Sequence, residues 1–201
     1  MRLWSFCDCG DGSLVLCCLA VEESKPRRFR PTILYVSCVI DKGKQMNTWI
    51  FQGNPRKFDV DSYLRSRTDI LWTVGNNKIQ NNIAVRDVAY IWRADGSVRG
   101  SGGIVAKGHV TDLPKPIPDD GSNLWHTEDG ETITNRVAIH IDDVRLIPEN
   151  GMLLRTELEN HPVLCNLWIL KWRAAILYQV KPEHARIIDE LLNSHQLEGK
   201  Q

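Results

Sequence analysis

The sequence predicts an α+β fold: a small mixed or antiparallel β-barrel flanked by helices, behind an unstructured N-terminal extension. Three observations carry this reading. Between residues 47 and 147 short β-rich runs follow one another across turn residues, without the strict strand–helix alternation of a doubly wound sheet. The clearest amphipathic pattern stands at the C-terminal end, over 181–196. Finally, residues 1–45 differ in composition from the rest and show no amphipathic period longer than a strand.

The extension holds Cys7, Cys9, Cys17, Cys18 and Cys38, five of the six cysteines, and the basic run "KPRRFRP" at 25–31. A C-x-C followed by C-C offers thiolates, but not at the spacing of a zinc ribbon, and no His lies near. The run reads as a basic arm for phosphate, a disordered tail, or translated DNA upstream of a start at Met46. The division is therefore 1–45, an extension, and 46–201, the domain. Seven of the 25 basic and five of the 25 acidic residues precede Met46, which leaves 18 against 20 in the domain. Such a balance excludes binding dominated by phosphate contacts and permits only a local basic face. The single remaining Cys165 fits a reducing cytoplasm. No apolar run reaches about 18 residues, so no membrane span is expected.

Along the domain, "NTWIFQG" (47–53) reads as a strand closed by Gly53 and Pro55. "DVDSYLRSR" (59–67) reads as a helix with Asp59 as N-cap and Val60 and Leu64 as its apolar stripe. "DILWTVG" (69–75) and "DVAYIWRA" (87–94) are strands, the latter followed by a turn at "DGS". In "GSGGIVAKGHVTD" (100–112) the glycines mark a bulge, a bend or a close approach. Residues 113–132, with three prolines and many acids, read as a surface loop. "NRVAIHIDDVRLIP" (135–148) alternates as a strand. "MLLRTELENHP" (152–162) reads as a helix, 163–180 is apolar and ambiguous, and 181–196 is a helix with Ile187, Leu191 and Leu192 on one face.

Catalytic motifs are missing: no nucleophile elbow, no P-loop and no HExxH, and the six histidines are scattered without ligand spacing. "GSGG" (100–103) is not followed by a helix N-terminus, which a phosphate cradle needs. The chain reads as a non-enzyme without cofactor or metal. The aromatic residues are more informative. Trp49, Trp72 and Trp92 each fall in a strand, and paired aromatic faces around a slot are what holds a planar, flipped-out base. All three filling the core is the competing reading, though at least one is expected to line a pocket.

The ordered run "TWIFQGNPRKFDVDSYL", "ILWTVG", "VRDVAYIWRA", "GGIVAKGHVTDLP" and "VAIHIDDVRLI" resembles the EVE domain of the PUA-like superfamily over roughly 47–196. The family's first strand starts almost at its N-terminus, so the resemblance implies Met46 as the natural start. It implies a small barrel with packed helices and a pocket related to that of YTH domains, where aromatics hold a methylated base. It further implies a reader of modified bases, chiefly modified cytosine in DNA, at times beside a nuclease or restriction partner. Carried over by position, Gly53 and Asn54 stand at the pocket mouth, Trp72 and Thr73 form one wall, and Trp92 the opposing wall. Arg56, Lys57, Arg65 and Arg67 supply a basic strip for phosphate. Arg86 stands where the family often has Gly. An RNA-binding PUA-like module is the alternative; an enzyme on a nucleoside-like ligand and a protein scaffold are weaker ones.

Overall fold

The computed structural model describes residues 3–8, 14–19, 46–75, 78–126, 133–172 and 174–198. The chain divides into two compact units, Met1–Lys44 and Gln45–Gln201. In the first, β1 (Leu3–Asp8) and β2 (Leu14–Leu19) pair antiparallel, with Leu3 opposite Leu19. Within the stretch read as an unstructured extension, this hairpin is the part described. Cys7 falls in β1 and Cys17 and Cys18 in β2, whereas Cys9, Cys38 and the basic run at 25–31 lie outside the described residues.

The second unit is built on one seven-stranded mixed sheet. Its elements are β3 (Thr48–Gly53), α1 (Val60–Ser66), β4 (Asp69–Thr73), β5 (Val88–Arg93), β6 (Gly103–Ile117), β7 (Thr134–Val144), β8 (Leu153–Leu154), α2 (Arg155–Asn160), α3 (Trp168–Lys171), β9 (Leu177–Val180) and α4 (Pro182–Glu198). The hydrogen-bonded order is β4-β7-β6-β5-β3-β9, with β8 added to β6. Only β3 and β5 run parallel; every other pair in the sheet is antiparallel. The sheet is open rather than closed, with β4 and β9 at its two ends.

Strand alternation sends side chains to two cores. Trp49 and Phe51 of β3, with Ala89 and Ile91 of β5, join the cluster that contains α1's Val60, Tyr63 and Leu64. Ile50, Tyr90 and Trp92 point the other way, into a cluster covered by α2, α3 and α4 through Leu158, Ile169, Ile188 and Leu192. On α4 the buried apolar positions are Ala185, Ile188 and Leu192, while Ile187 and Leu191 lie at the margin. The buried stripe is thus turned by about one residue, around 100°, from the face expected.

Local chemistry explains several elements. Asp59 Oδ1 accepts from Ser62 N at 3.0 Å and starts α1; hydrogen bonding by the Ser62 side chain first, then by its backbone N–H, holds the Asp59 carboxyl below the usual range. Buried Asp87 accepts from Trp49 Nε1 at 2.8 Å and from the backbone N–H of Asn47 and Ala84 at 2.9 Å each. That carboxylate ties the entry of β3 to the entry of β5. Gly108 sits where β6 shifts register against β7, and a Cβ there would lie 2.0 Å from His140 O. The stretch read as a surface loop begins later than expected: β6 runs on through Ile117, with Pro114 and Pro116 inside it. The helix expected over 152–162 is β8 followed by the six residues of α2, because Leu153 and Leu154 pair with β6. The ambiguous 163–180 resolves into α3 and β9.

Candidate functional site

The open sheet leaves a seam between its ends, and a cleft of about 500 Å³ occupies it. β4 contributes Leu71, Trp72 and Thr73 to one side. The last residues of β3, Gln52 and Gly53, and the segment entering β9, Ala174 and Ile176, contribute the other. Gln52 N donates to Ile176 O at 2.9 Å, which fixes that side. Ligand sites of about 300–1,000 Å³ with a mainly apolar lining are the usual kind.

Four aromatic rings build the interior. Phe58 meets Tyr63 edge-on at 5.1 Å and Trp125 at 5.1 Å with a 52° tilt; Tyr63 meets Trp72 at 6.4 Å. Their placement is set by backbone and by carboxylates. Phe58 and Trp125 form a β-bridge, flanked by Asp59 N to Leu124 O at 2.9 Å and His126 N to Lys57 O at 2.8 Å. Gly53 is where it is because the Trp72 indole lies over it. A Cβ there would stand 2.6 Å from Val60 Cγ2 and 3.0 Å from Trp72 Cζ2.

Two neighbouring aspartates hold the rings. Asp119 Oδ2 accepts from Trp125 Nε1 at 2.8 Å and from Arg136 Nη2 at 3.0 Å, and Oδ1 from Gly121 N at 2.7 Å. This pair is nearly dry: the Asp119 side chain is 6 % exposed and that of Arg136 2 %. Asp120 accepts from Tyr63 Oη at 2.6 Å and from Arg67 Nη1 at 2.6 Å. Tyr63 Oη in turn accepts from Leu71 N at 2.9 Å. Burial first, then Asp120, pushes the Tyr63 phenol well above its ordinary pKa, so it stays a neutral donor.

Of the residues singled out in the sequence, Gly53, Asn54, Trp72 and Thr73 all line this cleft. Asn54 Oδ1 accepts from Arg56 N at 3.0 Å, which leaves its amide nitrogen for a ligand. Trp92 is not the opposing wall. It is 0 % exposed in the second core, because its parity along β5 matches Tyr90 and opposes Ile91. The Arg155 guanidinium covers its ring at 4.9 Å. Trp125 and Phe58 stand where Trp92 was expected, and the sequence reading missed both, along with Tyr63 and Asp119. One signal was available: a Trp inside the polar run 113–132 has no reason to sit on a solvated loop.

The basic strip is divided. Lys57 lines the cleft, and Arg56 is exposed with its Nε on Gly96 O at 2.7 Å. Arg65 is exposed and faces a second depression beyond α1. Arg67 is committed to Asp120 and lies over the Tyr63 ring at 5.2 Å. Among the described residues no three His, Cys, Asp or Glu side chains are grouped to hold a metal, and no helix is long and apolar enough to cross a membrane.

No protein-family model matches this sequence, and no curated protein matches it. Solved structures do. A hypothetical protein from Leishmania major aligns with TM-score 0.54 at 16 % identity, over 75 % of this chain and 97 % of that one. A protein from Pseudomonas putida aligns at 0.52 and 16 %, over 72 % and 99 %. Human THYN1, solved in complex with 5-methylcytosine containing DNA, aligns at 0.50 and 11 %, over 75 % and 98 %. These neighbours share the mixed α+β fold of the second unit. In this fold, among the described residues, a cleft and an aromatic lining coincide at the seam between the sheet ends.

Proposed function

We propose that this protein is an EVE-type, non-catalytic reader of a modified nucleobase, with modified cytosine in DNA as its target. The observation that carries the reading is the aromatic cleft. Trp72 and Trp125 both line it, and a base stacked on an aromatic ring gains about 1–3 kcal/mol. Phe58 and the apolar stretch at Leu71 and Ile176 suit a methyl substituent, which water would otherwise have to cover. The Asn54 amide nitrogen offers a donor for a base edge. The complex of human THYN1 with 5-methylcytosine containing DNA supports the choice of ligand.

The same chemistry speaks against turnover. Tyr63 and Asp119 have their polar atoms engaged in holding rings, so neither is a poised acid, base or nucleophile. The deciding experiment is fluorescence titration with matched duplexes carrying cytosine, 5-methylcytosine, 5-hydroxymethylcytosine or N6-methyladenine. Modification-dependent quenching is expected, because Trp72 and Trp125 would touch the base. Equal, salt-sensitive binding to all four duplexes, or preference for RNA of the same sequence, would overturn the reading.

A further inference from the structure

Two indoles stand in solvent on a short turn beside the cleft. Trp168 opens α3 and is 67 % exposed; Trp172 follows it and is 61 % exposed. The other four tryptophans with described side chains, Trp49, Trp72, Trp92 and Trp125, are buried or half-buried. A Trp carries 150–250 Å² of contact surface, so two left bare within one turn mark a surface that meets something.

The turn is anchored rather than loose. Ile169 and Leu167 are buried in the second core. Trp172 N donates to Trp168 O at 2.8 Å, and Tyr178 Oη donates to Trp172 O. Two residues further on, the same segment supplies Ala174 and then Ile176 to the cleft wall. The turn is therefore continuous with the cleft. Its charge is also distinctive. Residues 163–182 contain Lys171, Arg173 and Lys181 and no Asp or Glu, within a domain whose acids outnumber its bases. Lys171 Nζ bonds the neutral Asn166 Oδ1 at 2.9 Å, which keeps its charge uncancelled.

We propose that Trp172, backed by Trp168, enters the stack of a DNA duplex at the place vacated by the base held in the cleft, while Lys171 meets the adjoining phosphate. The inference rests on the cleft receiving an extruded base. Extrusion leaves a gap whose unstacking costs a few kcal/mol, and a flat side chain inserted there restores stacking. A cation-flanked indole one segment away from the cleft supplies that side chain. The aromatic surface and the acid-free stretch together match a stack of bases bordered by phosphates.

The test uses the full chain with Trp168→Ala, Trp172→Ala and the double substitution. Because both indoles are exposed, melting temperatures should stay near wild type. One probe is a duplex with a single 5-methylcytosine and 2-aminopurine beside it; the other is free 5-methylcytidine. Trp172→Ala is expected to weaken duplex binding by about 5- to 150-fold and to change the 2-aminopurine signal, with nucleoside affinity unchanged. Duplex binding unaltered by the double substitution would overturn the proposal while leaving the cleft reading intact. Wild-type binding of the nucleoside without the duplex would do the same. Binding of neither would remove the cleft reading and the wedge together. Trp-dependent binding of RNA in preference to DNA would overturn the duplex assignment.

Discussion

Replacing Trp125 by alanine removes one wall of the cleft and leaves the sheet beneath it in place. Trp125 sits outside the sheet, held by its Nε1–Asp119 bond at 2.8 Å and its ring contact with Phe58 at 5.1 Å. A hydrogen bond to a charged group contributes about 1.5–3 kcal/mol, and an aromatic pair about 0.5–1.5 kcal/mol. Trp125 is only half-buried, so a loss of about 2 kcal/mol is expected, seen as a melting temperature lower by about 4–8 °C for a domain of this size. Asp119 keeps Arg136 and Gly121 N, which limits the damage. For binding, loss of one stacking face should weaken the modified-base duplex by roughly 5- to 150-fold. Trp125→Phe separates the two effects: it loses the N–H bond but keeps a ring, so it should be about 1.5 kcal/mol less stable than wild type and bind within a few-fold of it. Melting by circular dichroism and titration with the 5-methylcytosine duplex read both quantities. A Trp125→Ala protein that is folded and binds at wild-type affinity would refute the placement of the base between these rings.

Arg86 adopts a left-handed backbone at φ 75°, where an L side chain is strained, and its side chain is exposed. Arg86→Gly should therefore stabilise by about 1 kcal/mol, read as a raised melting temperature; an unchanged or lowered one would count against strain at this site. Asp87→Ala strips the acceptor from three donors at once, one of them the buried Trp49 Nε1, and should cost more than about 3 kcal/mol in chemical denaturation. A loss under about 1 kcal/mol would mean the donors find other partners. His140 lies 2.8 Å from Asp69, and that hydrogen bond raises its pKa. A folded pKa above the unfolded one means that the pair's contribution is present below the ordinary histidine value and fades as pH rises through the raised one. Asp69→Asn should bring the His140 titration by NMR back down towards that ordinary value; an unmoved titration would assign the shift to another cause.

The strands were legible because β3, β5 and β7 carry β-branched and aromatic residues between clear turn signals. α1 was legible because Asp59 announces it. What the sequence does not display is pairing. β3 and β5 run parallel with Trp49 beside Ala89 and Gln52 beside Trp92, and no local pattern reveals that register. Without it, Trp72 and Trp92 look like two walls of one slot, whereas alternation sends Trp92 to the opposite face. The true partner of Trp72 comes from a run whose prolines and acids disguise it. Asp119 and Asp120 are acids of that run, and in the fold they are ring supports rather than solvated charge. The openness of the sheet escaped the sequence for the same reason: β4 and β9 each look like ordinary strands, and only their placement at the two ends creates the seam.

The charges add a constraint on how tightly such a seam can hold nucleic acid. Several cations that composition would assign to phosphate are spent inside the fold. Arg67 pairs with Asp120, Arg93 with Asp61, Lys107 with Asp189, Arg136 with Asp119 and Arg145 with Asp143. The exposed cations at or beside the cleft are Arg56, Lys57 and Lys171, with Arg65 beyond α1, and these four are the ones to consider for the backbone of a bound strand. Each phosphate neutralised on duplex DNA steepens the dependence of log K on log salt by about 0.9. Four contacts therefore predict a slope no steeper than about −4, with discrimination between modified and unmodified duplexes preserved across the salt range. Electrostatic attraction fades with salt, whereas stacking in an aromatic cleft does not. A slope steeper than about −6, or discrimination that vanishes as salt rises, would mean that phosphate contacts rather than the base hold the complex, and the functional weight would move from the Trp72–Trp125 cleft to the protein's surface.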